Sequence, residues 1–183
     1  TLPVQTAPPQ LPLRVMQKLI FDKQQWEKLQ QLCEQGYPKE VCGLLFGKTV
    51  NGTGIKKVQK VQVLTNILDG SHKDRLDELL SMNALPIDRD RALSGGNFEF
   101  MIDPVEHYHK VRESENEGLD QVGIFHSHPD HPAKPSKTDE SQPFLAGWSQ
   151  LIVAVHAKKF LEAKAWYRES ESTPFQMQDI LIE

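Results

Sequence analysis

The sequence has few cysteines and no long apolar run, and each shortage excludes a class of protein. Cys33 and Cys42 are the two cysteines among 183 residues, too few for the disulfide framework of a small secreted domain. No apolar stretch approaches the ~20 residues that a membrane-spanning helix needs. The first residues also lack the basic region and apolar core of a secretory signal. We therefore expect a reduced, cytoplasmic protein that does not insert into a membrane.

The chain also lacks a strong excess of charge of either sign. Its 21 Lys and Arg residues against 25 Asp and Glu residues give a net charge of −4, which offers no electrostatic case for nucleic acid as a partner. The length and the 38% hydrophobic share predict one globular domain with a core. Four prolines in residues 1–12 indicate a flexible leader, so the domain is expected at residues 13–183.

The hydrophobic periodicity predicts more strands than helices. Strands are predicted at residues 13–21, 41–46, 55–64, 97–102, 119–128, 149–156, 160–168 and 175–182. Helices are predicted at residues 22–36, 103–117 and 138–145, with a short helical patch at residues 77–82. Because strands outnumber helices and hairpin-like links dominate, we predict an α+β fold with a mostly antiparallel, curved sheet flanked by helices.

Residues 69–97 interrupt this pattern. The segment has glycines near both ends and a small apolar patch between them, formed by Leu76, Leu79, Leu80 and Met82. A segment of this length inside a compact domain is usually a functional loop or a disordered one. Two interpretations stay open: an insertion without a role, or a lid that orders over the site when substrate binds.

The apolar run Val122–Phe125 leads directly into His126, Ser127 and His128, and Pro129 ends it. Alternate side chains of a strand share a face, so the two histidines point the same way. Two imidazoles on one face make half of a tetrahedral zinc site, and Asp139, after a proline-rich loop, is the natural third ligand. Three protein ligands with one open position are typical of a catalytic zinc.

Two separated blocks of the sequence resemble the JAMM (MPN+) metalloprotease family, in its compact, stand-alone bacterial form. The second block is His126-x-His128 followed after ten residues by Asp139, with Ser136 three residues before the aspartate. The first matches the pattern Pro-x-Glu-x-Cys-Gly-x-Leu-x-Gly and reads Pro38-Lys39-Glu40-Val41-Cys42-Gly43-Leu44-Leu45-Phe46-Gly47. The resemblance implies the family's fold, a cytidine-deaminase-like sandwich of helices around a sheet.

The resemblance also implies a role for each matching residue. His126, His128 and Asp139 would hold one Zn²⁺ per chain, and Glu40 would act as general base and then general acid. Ser136 would donate a hydrogen bond to the tetrahedral oxyanion. The implied activity is a zinc-dependent peptidase or isopeptidase that uses metal-activated water.

By the same resemblance, the substrate would be a ubiquitin-like or sulfur carrier protein cut at its Gly-Gly tail. One alternative is a deconjugating protease of a bacterial ubiquitin-like modification system. An alternative of another class is a non-catalytic scaffold, but scaffolds of this fold lack one or more of the Glu, the two His and the Asp, and this chain has all four. The sequence does not indicate an oligomeric state.

Each candidate residue also has a simpler interpretation. Glu40 alone would be a solvated carboxylate at a strand edge, Ser136 a turn serine, and Asp139 a helix N-cap. His131, three residues after His128, is a rival metal ligand that the family pattern does not use. Cys42 lies in an apolar run, which favours core packing over a nucleophilic thiol.

Overall fold

The computed structural model shows seven strands and five helices in the part of the chain that it describes. That part comprises residues 17–51, 53–87, 89–94, 99–141 and 147–183. The strands are β1 (Gln17–Phe21), β2 (Cys42–Thr49), β3 (Gly54–Leu64), β4 (Asp120–Pro129), β5 (Ser149–His156), β6 (Lys159–Tyr167) and β7 (Gln176–Ile182). The helices are α1 (Lys23–Gly36), α2 (Lys73–Ser81), α3 (Arg89–Ser94), α4 (Pro104–Asn116) and α5 (Lys137–Ser141).

Two predictions for the start of the chain fall wholly or partly outside this described part. The leader at residues 1–12 lies outside it, as do residues 13–16 of the first predicted strand. None of the helices in the described residues is long and apolar enough to cross a bilayer.

The strands form one closed barrel in the order β1-β3-β2-β4-β5-β6-β7, and β7 pairs back with β1. The β2–β3, β2–β4, β5–β6 and β6–β7 pairs are antiparallel, and the β1–β3, β1–β7 and β4–β5 pairs are parallel. The predicted α+β fold with a mostly antiparallel sheet is therefore confirmed. The curvature is strong enough for the sheet to close on itself.

Helix α1 begins and packs as its sequence predicts. The Asp22 carboxylate accepts a hydrogen bond from the backbone N–H of Gln24, an N-cap that stabilises a helix start. The buried Leu29 and Cys33 of α1 pack against the barrel in the main core, together with the buried side chains Leu19, Phe21, Leu45, Val58, Val61, Val122, Phe125, Leu151, Val153, Val155 and Ala165.

The pairing of β2 with β4 places the two motif blocks side by side, with Cys42 opposite His126. Ser127 fixes this register at the strand ends, because its Oγ accepts a hydrogen bond from the Val41 N–H and its own N–H donates to the Val41 carbonyl, both at 2.8 Å. Position 43 in β2, opposite Phe125, requires glycine, because a Cβ added there would lie 2.5 Å from the Phe125 ring. The sequence blocks therefore meet because β2 and β4 are neighbours.

The strand predicted at residues 97–102 is wrong over the residues that the structure describes there. Residues 99–101 are irregular, and Ile102 makes a single bridge with Asn66. Phe100 and Met101 are both buried although they are consecutive, which a strand with one buried face does not allow. Residues 100 and 101 are apolar because different parts of the chain cover each of them, His126 in one case and the cluster around Leu76 in the other.

The segment at residues 69–97 contains helices α2 and α3 in its described part. The helix predicted at residues 77–82 is present but begins earlier, at Lys73. Leu76 and Leu79 are buried in a small cluster with Ile67, Leu68, Ala92 and Met101, so most of the apolar patch docks on the domain. The Arg75 guanidinium also pairs with Asp103, the N-cap of α4, at 2.6 Å. Ordering of this segment over the site on substrate binding stays a prediction.

Lys56 is a buried amine in β3 that makes stability depend on pH. Its Nζ donates to Ser149 Oγ at 2.9 Å, and burial lowers the pKa of Lys56 to about 8. An unfolded lysine keeps its proton to about pH 10.4, so the unfolded chain binds more protons between these values and stability rises with pH there.

We expect the pair Lys56→Met and Ser149→Ala to raise the free energy of unfolding at about pH 7 by on the order of 1 kcal/mol. The second substitution avoids leaving the Ser149 hydroxyl buried without its partner. Urea unfolding at about pH 7 and about pH 10 would check this, and the gain should shrink at the higher pH because the amine of the folded wild type is then neutral and no longer buries a charge. A gain that is equal at both pH values would contradict it.

Candidate active site

Two imidazoles lie together at the end of β4. His126 and His128 point to the same side, as strand alternation predicts, and both are buried. Their Nε2 atoms are 3.0 Å apart. The Phe100 ring stacks on the His126 ring with 4.6 Å between centroids, which holds that imidazole in place.

Asp139 reaches the same point from α5. Its Oδ1 lies 3.1 Å from His126 Nε2 and its Oδ2 lies 3.4 Å from His128 Nε2. The three side chains form a buried group whose candidate ligand atoms all lie within 4.8 Å of one another. The strand end and the helix start thus bring together the residues predicted as metal ligands.

The start of α5 explains how the carboxylate is aimed. Ser136 Oγ accepts from the Asp139 N–H at 3.1 Å, and Asp139 Oδ2 accepts from the Ser136 N–H at 2.7 Å, a reciprocal capping box. The helix cap is therefore Ser136, and the simpler interpretation of Asp139 as the cap is wrong. Residues 142–145 of the predicted helix lie outside the described residues.

The three side chains His126, His128 and Asp139 offer donor atoms that suit a bound cation. His128 Nδ1 lies 2.8 Å from the Pro132 carbonyl, which accepts its N–H, so a neutral His128 directs the Nε2 lone pair towards the group. Burial raises the pKa of Asp139, but the neighbouring imidazoles of His126 and His128 and the hydrogen bond from the Ser136 N–H hold it well below its usual value. An ionised carboxylate and two imidazole nitrogens are a donor set that suits Zn²⁺.

Glu40 lies two residues before β2 and lines a cavity with His128 and Ser136. Glu40 is only 7% exposed, so its simpler interpretation as a solvated carboxylate is wrong. Burial raises the pKa of Glu40 to about 8, with Asp139 and Glu99 adding to the rise and His128 opposing it. A carboxyl that titrates near neutral pH can both accept and release a proton during one reaction cycle.

The cavity has a volume of about 480 Å³ and opens beside His128. The exposed His131 lines it, but the three-residue ligand group found in the described part of the chain does not include His131. Sequence reasoning missed Glu99, which also lines the cavity, and Phe100, which stacks on His126. Neither belongs to a motif, and only the path of the chain brings them to the site.

Cys42 is fully buried beside the site, and its Sγ lies 3.9 Å from the Leu64 carbonyl. Burial raises the pKa of the Cys42 thiol well above its usual value. A protonated, buried thiol is a poor nucleophile, which agrees with the core role predicted for it.

The mixed α+β barrel, with a His-x-His strand end facing an aspartate at a helix start, defines a domain of the JAB/MPN class. A family model described as prokaryotic homologs of the JAB domain matches residues 22–169. The chain belongs to this family, and the resemblance noted in the sequence is confirmed.

Relatives agree with this assignment. A desampylase from Pyrococcus furiosus is 32% identical over 127 residues, which make up 69% of this chain and 65% of the relative. The match thus spans just under two thirds of that relative's length.

Two solved structures share the fold. A protein from Desulfitobacterium hafniense, solved in solution, superposes with a TM-score of 0.65 at 24% identity and covers 90% of this chain and 92% of its own. A Salinibacter ruber protein, also solved in solution, gives a TM-score of 0.60 at 25% identity over 89% and 90% of the two chains.

Proposed function

We propose that the protein is a zinc-dependent peptidase or isopeptidase whose catalytic domain comprises residues 13–183. His126, His128 and Asp139 would hold one Zn²⁺. The observation that carries this proposal is that the buried ligand group reaches, through His128, the cavity that Glu40 and Ser136 also line. Zinc in a site with an open position lowers the pKa of a water molecule and polarises a carbonyl group.

Glu40 moves the protons in this proposal. Its carboxylate accepts a proton from the attacking water as the new C–O bond forms, and the protonated carboxyl then donates to the leaving nitrogen as the C–N bond breaks. Burial in the cavity supports both steps, because it brings the pKa of Glu40 to about 8, between those of a free carboxyl and an amine. A bound dication would favour the carboxylate form and prepare Glu40 for the first step.

Ser136 would stabilise the oxyanion. Its Oγ already accepts the Asp139 N–H, so its own hydroxyl hydrogen is free to point into the cavity that Ser136 lines. An oxyanion donor is typically worth ~2.7–4 kcal/mol in the transition state.

Ser136→Ala should therefore lower kcat by about 100-fold or more with little change in KM. The substitution also removes the N-cap of α5, so the comparison belongs well below the melting temperature of both proteins. Ser136→Thr is the matched control, because threonine keeps the hydroxyl and the cap. If alanine and threonine reduced kcat equally, loss of the hydroxyl would not be the cause.

We propose that the substrate is a ubiquitin-like or sulfur carrier protein cut at its Gly-Gly tail. Membership of the JAB family supports a tail-directed peptidase. The similarity to a protein named desampylase favours the second candidate, a deconjugating isopeptidase of a ubiquitin-like modification system.

The test compares two substrates built on one ubiquitin-like protein. In one the Gly-Gly tail continues into a short peptide, and in the other it is joined to a lysine side chain through an isopeptide bond. We expect a product ending in Gly-Gly by intact mass spectrometry, and the faster substrate decides between the two candidates. Both substrates staying intact with the zinc-loaded protein would contradict the proposal.

A further inference from the structure

Asn66 is a buried side chain beside the site that the mechanism does not use. It lies two residues after the end of β3 and is 7% exposed. Its Nδ2 donates to the carbonyls of Glu40 and Glu99, and its Oδ1 accepts from the N–H groups of Leu68 and Met101, all at 3.1 Å. The amide thus makes two donor and two acceptor contacts.

These four contacts fix the orientation of the amide. Two backbone carbonyls face one end of the side chain and two backbone N–H groups face the other, so a flipped amide would lose every bond. Aspartate and leucine have the same approximate shape, but each lacks at least one half of this set.

The bonds of Asn66 join two walls of the cavity. One wall is the backbone at Glu40, the proposed proton carrier. The other is the segment 99–101, where Glu99 lines the cavity and Phe100 stacks on His126. A backbone hydrogen bond also holds the segment 99–101 beside Asn66, since the Ile67 N–H donates to the Met101 carbonyl at 3.0 Å.

We propose that Asn66 is a positioning residue that sets the distance between Glu40 and the 99–101 wall. The inference rests on the proposed function. Without the Asn66 hydrogen bonds, the Glu40 backbone loses one of its contacts. The Phe100 ring, which stacks on His126, can then shift relative to Glu40. Misplacement of a catalytic group by about 1 Å typically costs on the order of 100-fold in rate.

The test measures kcat and KM of Asn66→Ala on the Gly-Gly-extended protein. Val61→Ala is the matched control: Val61 lies nearby in the sequence, in β3, and is fully buried, but it packs in the main core against α1. All assays run at a temperature at which circular dichroism shows both variants fully folded. We expect Asn66→Ala to lose at least about tenfold in kcat while keeping its zinc, and Val61→Ala to stay within about threefold of wild type.

Asn66→Asp tests the donor contacts of the amide separately from its acceptor contacts. It also replaces Asn66→Ala as the test if the alanine variant does not fold. A carboxyl keeps an acceptor for the Leu68 and Met101 N–H groups but lacks the donor pair that reaches Glu40 and Glu99. We expect amide hydrogen exchange at Leu68 and Met101 to stay slow in Asn66→Asp, whereas kcat falls as far as in Asn66→Ala. In Asn66→Ala both amides should exchange faster, and in Val61→Ala neither should.

The outcomes distinguish this inference from the proposed function. An inactive wild type would overturn the proposed function and the inference that rests on it. An active wild type, with the Asn66 variants within threefold of Val61→Ala in kcat, would overturn only the positioning role. Unchanged exchange at Leu68 and Met101 in Asn66→Ala would also overturn it, because the hydrogen bonds would then not hold the wall.

Discussion

Glu40→Gln is expected to lower turnover by at least about 1,000-fold, because general acid–base catalysis contributes about 10²–10⁴-fold and Glu40 serves both half-reactions. The amide keeps the shape of the carboxyl in a buried position, so the fold and the metal group should be unchanged. It cannot accept a proton from water. The variant should therefore bind substrate without cutting it and hold it as a stable complex.

Single-turnover kinetics and zinc analysis of the same sample check this expectation. Glu106→Gln is the matched control, since Glu106 is a half-buried carboxyl outside the cavity that accepts the Thr65 N–H at 3.0 Å, and glutamine keeps an acceptor there. Turnover of Glu40→Gln within about tenfold of wild type, about 1.4 kcal/mol in the barrier, would mean that Glu40 is not the base.

The second large effect is expected from removal of both imidazoles. The double variant His126→Ala, His128→Ala leaves Asp139 as the single remaining member of the ligand group. One carboxylate does not hold zinc in competition with water, so zinc should fall from one equivalent to a trace and turnover should disappear. Loss of a supporting partner alone typically costs about 10–100-fold in metal affinity, and loss of two ligands should cost more.

Elemental analysis of protein purified without added metal measures this directly. His156→Ala is the matched control, because the His156 side chain is 70% exposed and pairs with Asp130 outside the site. That variant should keep its zinc and its turnover. An unchanged zinc content in the double variant would remove His126 and His128 as ligands.

Local patterns in the sequence predict much of the site. Strand alternation places His126 and His128 on one face, and the proline-punctuated loop returns Asp139 to them. The capping residues Asp22 and Asp103 also mark the starts of α1 and α4, as the structure confirms. These features depend on residues close in sequence, so periodicity and capping rules apply to them.

Other features depend on distant contacts that no local pattern encodes. The parallel pairing of β1 with β7 closes the barrel across nearly the whole chain. Phe100 and Met101 are buried by different parts of the chain, because Phe100 stacks on His126 and Met101 packs in the cluster around Leu76 and Leu79. The apolar residues of this segment therefore imitate a strand. Asn66 follows a strand, where asparagine usually indicates a turn, and its four bonds appear only in the folded chain.

Activity as a function of added zinc tests the central claim most directly. The protein is stripped with a chelator, dialysed, and titrated with Zn²⁺ while cleavage of the Gly-Gly-extended protein is followed. We predict no cleavage by the stripped protein, a linear rise in rate, and a break at one zinc per chain. Cleavage that continues after stripping, or a rate that does not respond to added zinc, would contradict the assignment of this site as a zinc peptidase.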